Sequence, residues 1–275
     1  MARPFAQVDV FGGAPCSGNP VAVVLEAESM GDEEMQRFAR WTNLAETTFV
    51  LPPTRPEADY RVRIFTPVLE LPFAGHPTLG TCHAWLQAGG EAGGEEIVQE
   101  CDAGLVRIRR DGERLAFAAP PLVRSGPASE ADAARVADAL GVEREEMLAV
   151  EWVDNGPGWI AALFESAERV LELRPGALDF DLGAVGFHPP GSEAAIELRA
   201  WAPVNGLAAE DPVTGSLNAS VAQWLLADGR LEAPYLATQG TAIDRLGRIH
   251  VSAAGGEIWI GGRTETVIAG TAKPR

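Results

Sequence analysis

Apolar residues recur along the chain with two periods, and the switches between them mark out its elements. Phe5 to Phe11 (FAQVDVF) and Val21 to Leu25 are short runs rich in β-branched and aromatic residues on either side of GGAPCSGNP, which predicts a hairpin with a long tip. Val62 and Ile64 alternate with Arg61 and Arg63, the period of a strand with one buried face. Thr47 to Leu51, Ile97 to Gln99, Leu105 to Ile108 and Leu115 to Ala118 also read as strands. The last two are joined through Asp111-Gly112, a strong hairpin signal. The helical period appears at Met35, Phe38, Ala39 and Trp41, predicting a helix that Ser29 caps, that buries these four residues and that ends near Asn43. Pro120-Pro121 and the stretch to Pro127 read as a crossing between domains. Beyond it come a helix over Ala131 to Leu140 closed by Gly141, strands at Ala149 to Asp154 and Trp159 to Phe164, and a long loop holding a short helix at Leu178 to Leu182. A glycine-rich meander of strands closes the chain after Gly229, ending in a strand at Thr266 to Ala269.

The order of elements repeats. Phe65 to Trp85 (FTPVLELPFAGHPTLGTCHAW) has a reduced copy from Trp201, WAPVNGLAAEDPVTGSLNASVAQW. Laid over each other without a gap, Phe65 meets Trp201, Pro67 meets Pro203, Val68 meets Val204, Leu71 meets Leu207 and Thr78 meets Thr214. Each copy reads as a strand, a loop and a glycine-bearing turn that opens an apolar helix, with Leu79, Cys82, Trp85 and Leu86 in one and Leu217, Val221, Trp224 and Leu225 in the other. Two helix N-termini in equivalent places expect an anion, because each carries unpaired N–H groups and the positive end of a dipole. These patterns predict an α+β chain of two similar lobes, each a bent, mostly antiparallel sheet wrapped around a central helix. The expected boundaries are 1–120 and 121–264, with the last strand, about 265–275, returning to the first lobe.

Composition narrows the partners. Thirty-nine acidic residues against 22 Lys and Arg leave a net charge of −17, which repels nucleic acid at long range. No apolar run approaches the ~20 residues that cross a bilayer, and Asp9 interrupts what would be the apolar stretch of a signal peptide, so no membrane partner and a cytoplasmic location are expected. Cys16, Cys82 and Cys101 are too scattered for a disulfide framework and are expected to be buried packing residues. The four histidines show no metal-ligand spacing, so no metal is expected.

Candidate chemistry gathers at three residues. Glu46 lies in Asn43-Leu44-Ala45-Glu46-Thr47-Thr48-Phe49-Val50 with no charged neighbour, and a carboxyl desolvated in such surroundings titrates closer to neutrality, as a general acid/base must. As a single residue it also fits a turn cap. His76 and Asp211 fall in the two turns at most one position apart in the ungapped register, where two polar side chains could meet a common ligand. Read alone, each is an ordinary turn or capping residue. Thr78, Ser216 and Asn218 offer further donors at the helix starts.

Together VDVF with GNP after it, the ETTFV around Glu46, RIFTP, ELPFAGHPTLGT and APxxGxxEDPxTGS resemble the phenazine-biosynthesis PhzF-like family, relatives of diaminopimelate epimerase. The resemblance spans essentially the whole chain. It implies a diaminopimelate epimerase-like fold with the active site in a cleft, a homodimer, and no cofactor or metal. It implies Glu46 as the acid/base, His76 and Asp211 as proton-handling partners, and Gly75, Gly215 and Ser216 as donors to a substrate carboxylate, a set that Thr78 is expected to join from its place at the helix start. The activity implied is isomerisation of a dihydro-hydroxyanthranilate. Racemases of this fold use two cysteines, whose places are expected at Gly75 and Asp211, so a two-thiol mechanism is not expected. Ala45 departs from the family's wording, in which Ser often precedes the glutamate. An epimerase or dehydratase using the same glutamate would differ from the isomerase in its product, and a binding protein that kept the cleft would exchange no solvent hydrogen into its ligand.

Overall fold

The computed structural model describes residues 1–274. The chain divides into two compact units, Met1–Ala118 joined by the chain end from Gly261, and Ala119–Ile260. The first unit contains β1 (Arg3–Val10), β2 (Asn19–Val24), α1 (Asp32–Thr42), β3 (Glu46–Leu51), β4 (Tyr60–Phe65), β5 (Glu70–Leu71), α2 (Gly75–Gln87), β6 (Ile97–Cys101), β7 (Gly104–Asp111) and β8 (Arg114–Ala118). β1 pairs antiparallel with β2, β2 parallel with β3, β3 antiparallel with β4, β4 parallel with β6, and β6 antiparallel with β7. Helix α2 is buried without a break from Gly75 to Cys82, so its first two turns have no solvent face. It packs against β1, β2, β3 and β8, so the sheet bends around it.

The second unit contains β9 (Arg124–Pro127), α3 (Glu130–Leu140), β10 (Ala149–Asp154), β11 (Ile160–Phe164), α4 (Ala167–Glu172), β12 (Leu182–Phe187), β13 (Ile196–Val204), β14 (Leu207–Asp211), α5 (Gly215–Ala227), β15 (Tyr235–Gln239) and β16 (Gly247–Ala254). From β10 its pairings repeat those of the first unit in order: antiparallel to β11, then parallel to β12, antiparallel to β13, parallel to β15, antiparallel to β16. Helix α5 is the cognate of α2, of the same length and equally buried. A core of Val136, Leu140, Phe164, Val170, Leu182 and Trp201 joins α3 and α4 to the outer face of these strands. After β17 (Glu257–Gly262) the chain enters β18 (Thr264–Ala272), which lies antiparallel beside β1. In the second unit β9 takes the same place beside β10.

Four expectations are corrected. The ungapped register fails beyond the strand. Arg63 lies 5.0 Å over the Phe65 ring and donates to Glu70 Oε1 at 2.7 Å, while Arg199 lies 4.7 Å over Trp201 and donates to Glu210 Oε1 at 2.9 Å. The β13–β14 hairpin is therefore four residues longer than its cognate, since Arg199 is 136 beyond Arg63 and Glu210 is 140 beyond Glu70. From there Leu71 matches Asp211 rather than Leu207, Gly75 matches Gly215, His76 matches Ser216 and Thr78 matches Asn218. Asp211 ends a strand and is equivalent neither to Gly75 nor to His76.

The helix expected at Leu178 to Leu182 is absent; the helix is α4, and strand β12 takes up the second half of the expected loop. Glycines hid that strand, yet they are what lets it pack. A Cβ on Gly186 would sit 2.2 Å from the Ser166 carbonyl oxygen, and one on Gly183 2.8 Å from the Leu217 side chain. Helix α1 begins after Gly31, not Ser29, whose hydroxyl instead accepts from Arg3, and Trp41 is 78% exposed, stacked on the outer side of Phe38 at 5.9 Å. Cys16 is exposed at a turn with φ of 60°, whereas Cys82 and Cys101 are buried.

Candidate active site

In the first unit the bent sheet brings Glu46 and His76 together from residues 30 positions apart. Glu46 opens β3, and His76 is the second residue of α2, which β3 helps enclose. His76 Nε2 stands 3.2 Å from Glu46 Oε2, with side-chain exposures of 4% and 15%, so the carboxylate keeps an open edge while the imidazole is sealed. The approach is off the axis of a formed hydrogen bond. Burial pushes the His76 pKa down to about 3 from an ordinary 6.5, opposed only in part by a hydrogen bond to the Pro20 carbonyl, so at neutral pH the ring is uncharged. On the far side of the ring, Asn19 Nδ2 lies 3.2 Å from Nδ1.

The start of α2 is left open. Its cap residue is Ala74, whose side chain accepts nothing from the first turn, and that turn carries no acid to neutralise the dipole. The amides beside Gly75 therefore retain their affinity for an anion. The Thr78 hydroxyl is turned inward: it donates to the Ala74 carbonyl at 2.9 Å and accepts from Gln99 Nε2 at 2.9 Å. Gln99 in turn accepts from Tyr60 Oη at 3.0 Å.

The second unit builds a matching set. Thr214 caps α5 without bonding the first turn; its hydroxyl donates to Asp211 Oδ2 at 2.5 Å. Gln239, 140 residues beyond Gln99, accepts from Asn218 Nδ2 at 2.9 Å and from the Thr214 amide at 3.0 Å, and donates to the Asp211 carbonyl at 3.1 Å. The Ser216 hydroxyl accepts from the Trp159 indole at 3.0 Å, which leaves its own proton to donate, and its carbonyl accepts from Asn155. Asp211, Gly215 and Ser216 thus share one framework around the start of α5, as Glu46, His76 and Gly75 do around α2.

Sequence reasoning missed Asn19, Gln99, Gln239 and Trp159. The two glutamines carried a usable signal, because they share the offset of 140 that relates Gly75 to Gly215. Among the described residues no cluster of three or more His, Cys, Asp or Glu could hold a metal ion, and no helix is long and apolar enough to cross a membrane.

The family model described as phenazine biosynthesis-like protein matches residues 8–273. The chain belongs to that family. The trans-2,3-dihydro-3-hydroxyanthranilate isomerase of Pseudomonas aeruginosa is 34% identical over 262 residues, covering 91% of this chain and 90% of its own. The antisense-enhancing sequence 1 protein of Schizosaccharomyces pombe is 34% identical over 290 residues, with 97% of each chain covered. A solved phenazine biosynthesis protein of the PhzF family from Bacillus anthracis superposes with a TM-score of 0.82 over 99% of both chains at 21% identity, a likeness of fold. Family and fold agree on a diaminopimelate epimerase-like α+β architecture, and the protein is an enzyme of this isomerase family.

Proposed function

We propose that the protein is a cofactor-independent isomerase of a small cyclic carboxylate of the dihydro-hydroxyanthranilate kind, and that Glu46 carries the proton. The supporting observation is the Glu46–His76 pair: a carboxylate with one open edge, backed by a histidine that burial keeps neutral. Glu46 removes a proton from a saturated ring carbon, and the electron pair left behind delocalises into the neighbouring double bond and the substrate carboxylate. The protonated Glu46, whose open edge lets it exchange with solvent, then returns a proton to a different ring carbon, so the double bond shifts and nothing is oxidised or lost. His76 and Asp211 handle protons alongside it. Helix amides at Gly75 and Gly215, with Ser216, hold the substrate carboxylate, whereas Thr78, expected to join them, is fully buried with its proton given to the Ala74 carbonyl; donors placed where negative charge grows lower the barrier most. A neutral His76 suits this role because an imidazolium beside Glu46 would weaken it as a base. The P. aeruginosa relative's activity supports the substrate class. A homodimer, readable by sedimentation, and a cytoplasmic location complete the proposal.

The test is proton NMR in D2O with trans-2,3-dihydro-3-hydroxyanthranilate. Wild type is expected to introduce deuterium and form the isomer, and Glu46→Gln to slow both by about 10²- to 10⁴-fold, the usual worth of a general acid/base, while keeping its fold. Full turnover in Glu46→Gln would overturn the assignment.

A further inference from the structure

Three hydroxyls stand along the first turns of α5, and two of them spend their proton inside the chain. Thr214 donates to Asp211 Oδ2 at 2.5 Å, and Ser220 donates to the Leu217 carbonyl at 3.1 Å, the back-bonding ordinary for serine in a helix. Thr78, in the cognate helix α2, does the same with the Ala74 carbonyl. Ser216 does not. Its Oγ accepts from the Trp159 indole at 3.0 Å, and among the described residues none receives its proton, although the residue is only 6% exposed.

The chain builds this exception with care. Trp159 is 5% exposed, and its carbonyl accepts from the Val153 amide at 3.0 Å, which fixes both its side chain and its backbone. The turn before it is closed by Asp154, whose Oδ1 accepts from the Gly156 and Gly158 amides at 2.7 Å each; with φ of 138° and 99°, both positions favour glycine. Between them and Asp154 lies Asn155, 7% exposed, which donates to the Ser216 carbonyl at 2.9 Å. One short segment thus delivers two donors to one serine, the first to its backbone and the second to its side chain.

An indole has an N–H and no nitrogen lone pair to accept with, so Trp159 gives and Ser216 receives. We infer that Trp159 is a positioning residue: it holds Ser216 Oγ off the carbonyls of its own helix and so reserves the hydroxyl proton for the substrate carboxylate. The inference rests on Ser216 being a carboxylate donor, as in the proposed function. That proton sits on the same helical turn as amides that neither the Thr214 side chain nor an acid engages. A chain of indole, hydroxyl and carboxylate also strengthens cooperatively as the carboxylate gains charge during proton removal.

A double-mutant cycle read by titration calorimetry with 3-hydroxyanthranilate, the unreactive aromatic analogue of the substrate, tests the inference. Ser216→Ala is expected to weaken binding by about 10-fold to 10²-fold, the usual worth of a hydrogen bond to a charged group, and Trp159→Phe, which keeps an aromatic ring and loses the N–H, by about 3-fold to 10-fold. In the Ser216→Ala background, Trp159→Phe is expected to change affinity by no more than about twofold, because a residue that acts through a hydroxyl has no effect once the hydroxyl is gone. A merely structural role would leave the Trp159→Phe loss undiminished in both backgrounds. That result, or unchanged affinity in Trp159→Phe alone, would overturn the inference. A second readout needs no change at Trp159: the indole N–H resonance that Ser216→Ala displaces is expected to move downfield when 3-hydroxyanthranilate is added to ¹⁵N-labelled wild type, and one that stays in place contradicts the chain. Unchanged affinity in Ser216→Ala would remove the carboxylate role of Ser216 and the inference with it. Failure of the acid/base assignment is a separate result: turnover retained by Glu46→Gln, with the cycle still as expected.

Discussion

Water is excluded from the His76 ring, and this makes the residue a liability for the folded state in acid. Its pKa is about 3 in the fold and 6.5 in the unfolded chain, so between those values the unfolded chain binds a proton that the folded one refuses. Stability therefore falls as pH drops from 6.5 towards 3 and is unaffected by this residue at higher pH. From pH 7 to pH 5 the loss amounts to about 2 kcal/mol, taking ~1.4 kcal/mol for each unit below 6.5. His76→Gln, measured by urea unfolding at the two pH values, is expected to shrink the pH 7 to pH 5 difference by that amount; an equal loss in both proteins would contradict the burial argument. Glu46 stood out in the sequence by its uncharged neighbours, and His76 by its place in the repeated turn, although the register that paired it with Asp211 fails. Asn19 was not, because nothing in Gly-Asn-Pro distinguishes a side chain directed at a histidine from one that stabilises its own turn.

At the scale of elements, buried helices need strands with no side chain in the way. Gly80 lies in the middle of α2, where glycine is intrinsically costly, yet a Cβ there would sit 2.3 Å from Val21 Cγ1 and 3.0 Å from Val10 Cγ2. Both valines are fully buried in β1 and β2, so neither can yield without moving a strand. Gly80→Ala gains helix propensity of about 1 kcal/mol and is still expected to destabilise, since overpacking typically costs about 1 to 3 kcal/mol and this contact is far inside van der Waals range. A lower urea midpoint at unchanged slope is the expected result, and a higher midpoint would mean that α2 slides freely along β2. The same logic explains what pattern reading could and could not see. The alternation in β4 and the apolar period of α2 and α5 follow directly from burial. By contrast β12, Leu-Gly-Ala-Val-Gly-Phe, lost its strand signature to the glycines that let it pack against α5 and the Ser166 backbone. The hairpin of β13 and β14 likewise carries four extra residues that an ungapped comparison cannot see, and they displaced Asp211 from its expected partner.

For the molecule as a whole, the decisive connection is the return of the chain end to the first unit. β18 pairs with β1 along its full length, from Arg3 opposite Ala272 to Val10 opposite Thr264, with a bulge between Gln7 and Val8. It also fastens α2: Thr264 and Thr266 bond the two nitrogens of His83 at 2.9 and 3.1 Å, and Thr266 donates to Gln87 at 2.7 Å. The first unit is thus completed by residues that follow the second in sequence, whereas the second, Ala119–Ile260, is continuous and holds its own cognate strand, β9. The two units should accordingly respond differently to shortening the chain. Ending it after Arg263 removes every β1–β18 hydrogen bond and bares a β1 edge of eight residues, and an unpaired edge of that length invites aggregation. Hydrogen exchange on the shortened protein is expected to show amides of β1, β2 and α2 exchanging orders of magnitude faster than in the full chain, with those of β10 to β13 and α5 still protected. Turnover is lost in this protein, because Glu46 and His76 are aligned only by the strands that β18 helps hold around α2. Uniform loss of protection would instead show that the second unit depends on the first for its stability, and uniform retention that the contacts of β18 with β1 and His83 contribute nothing to either.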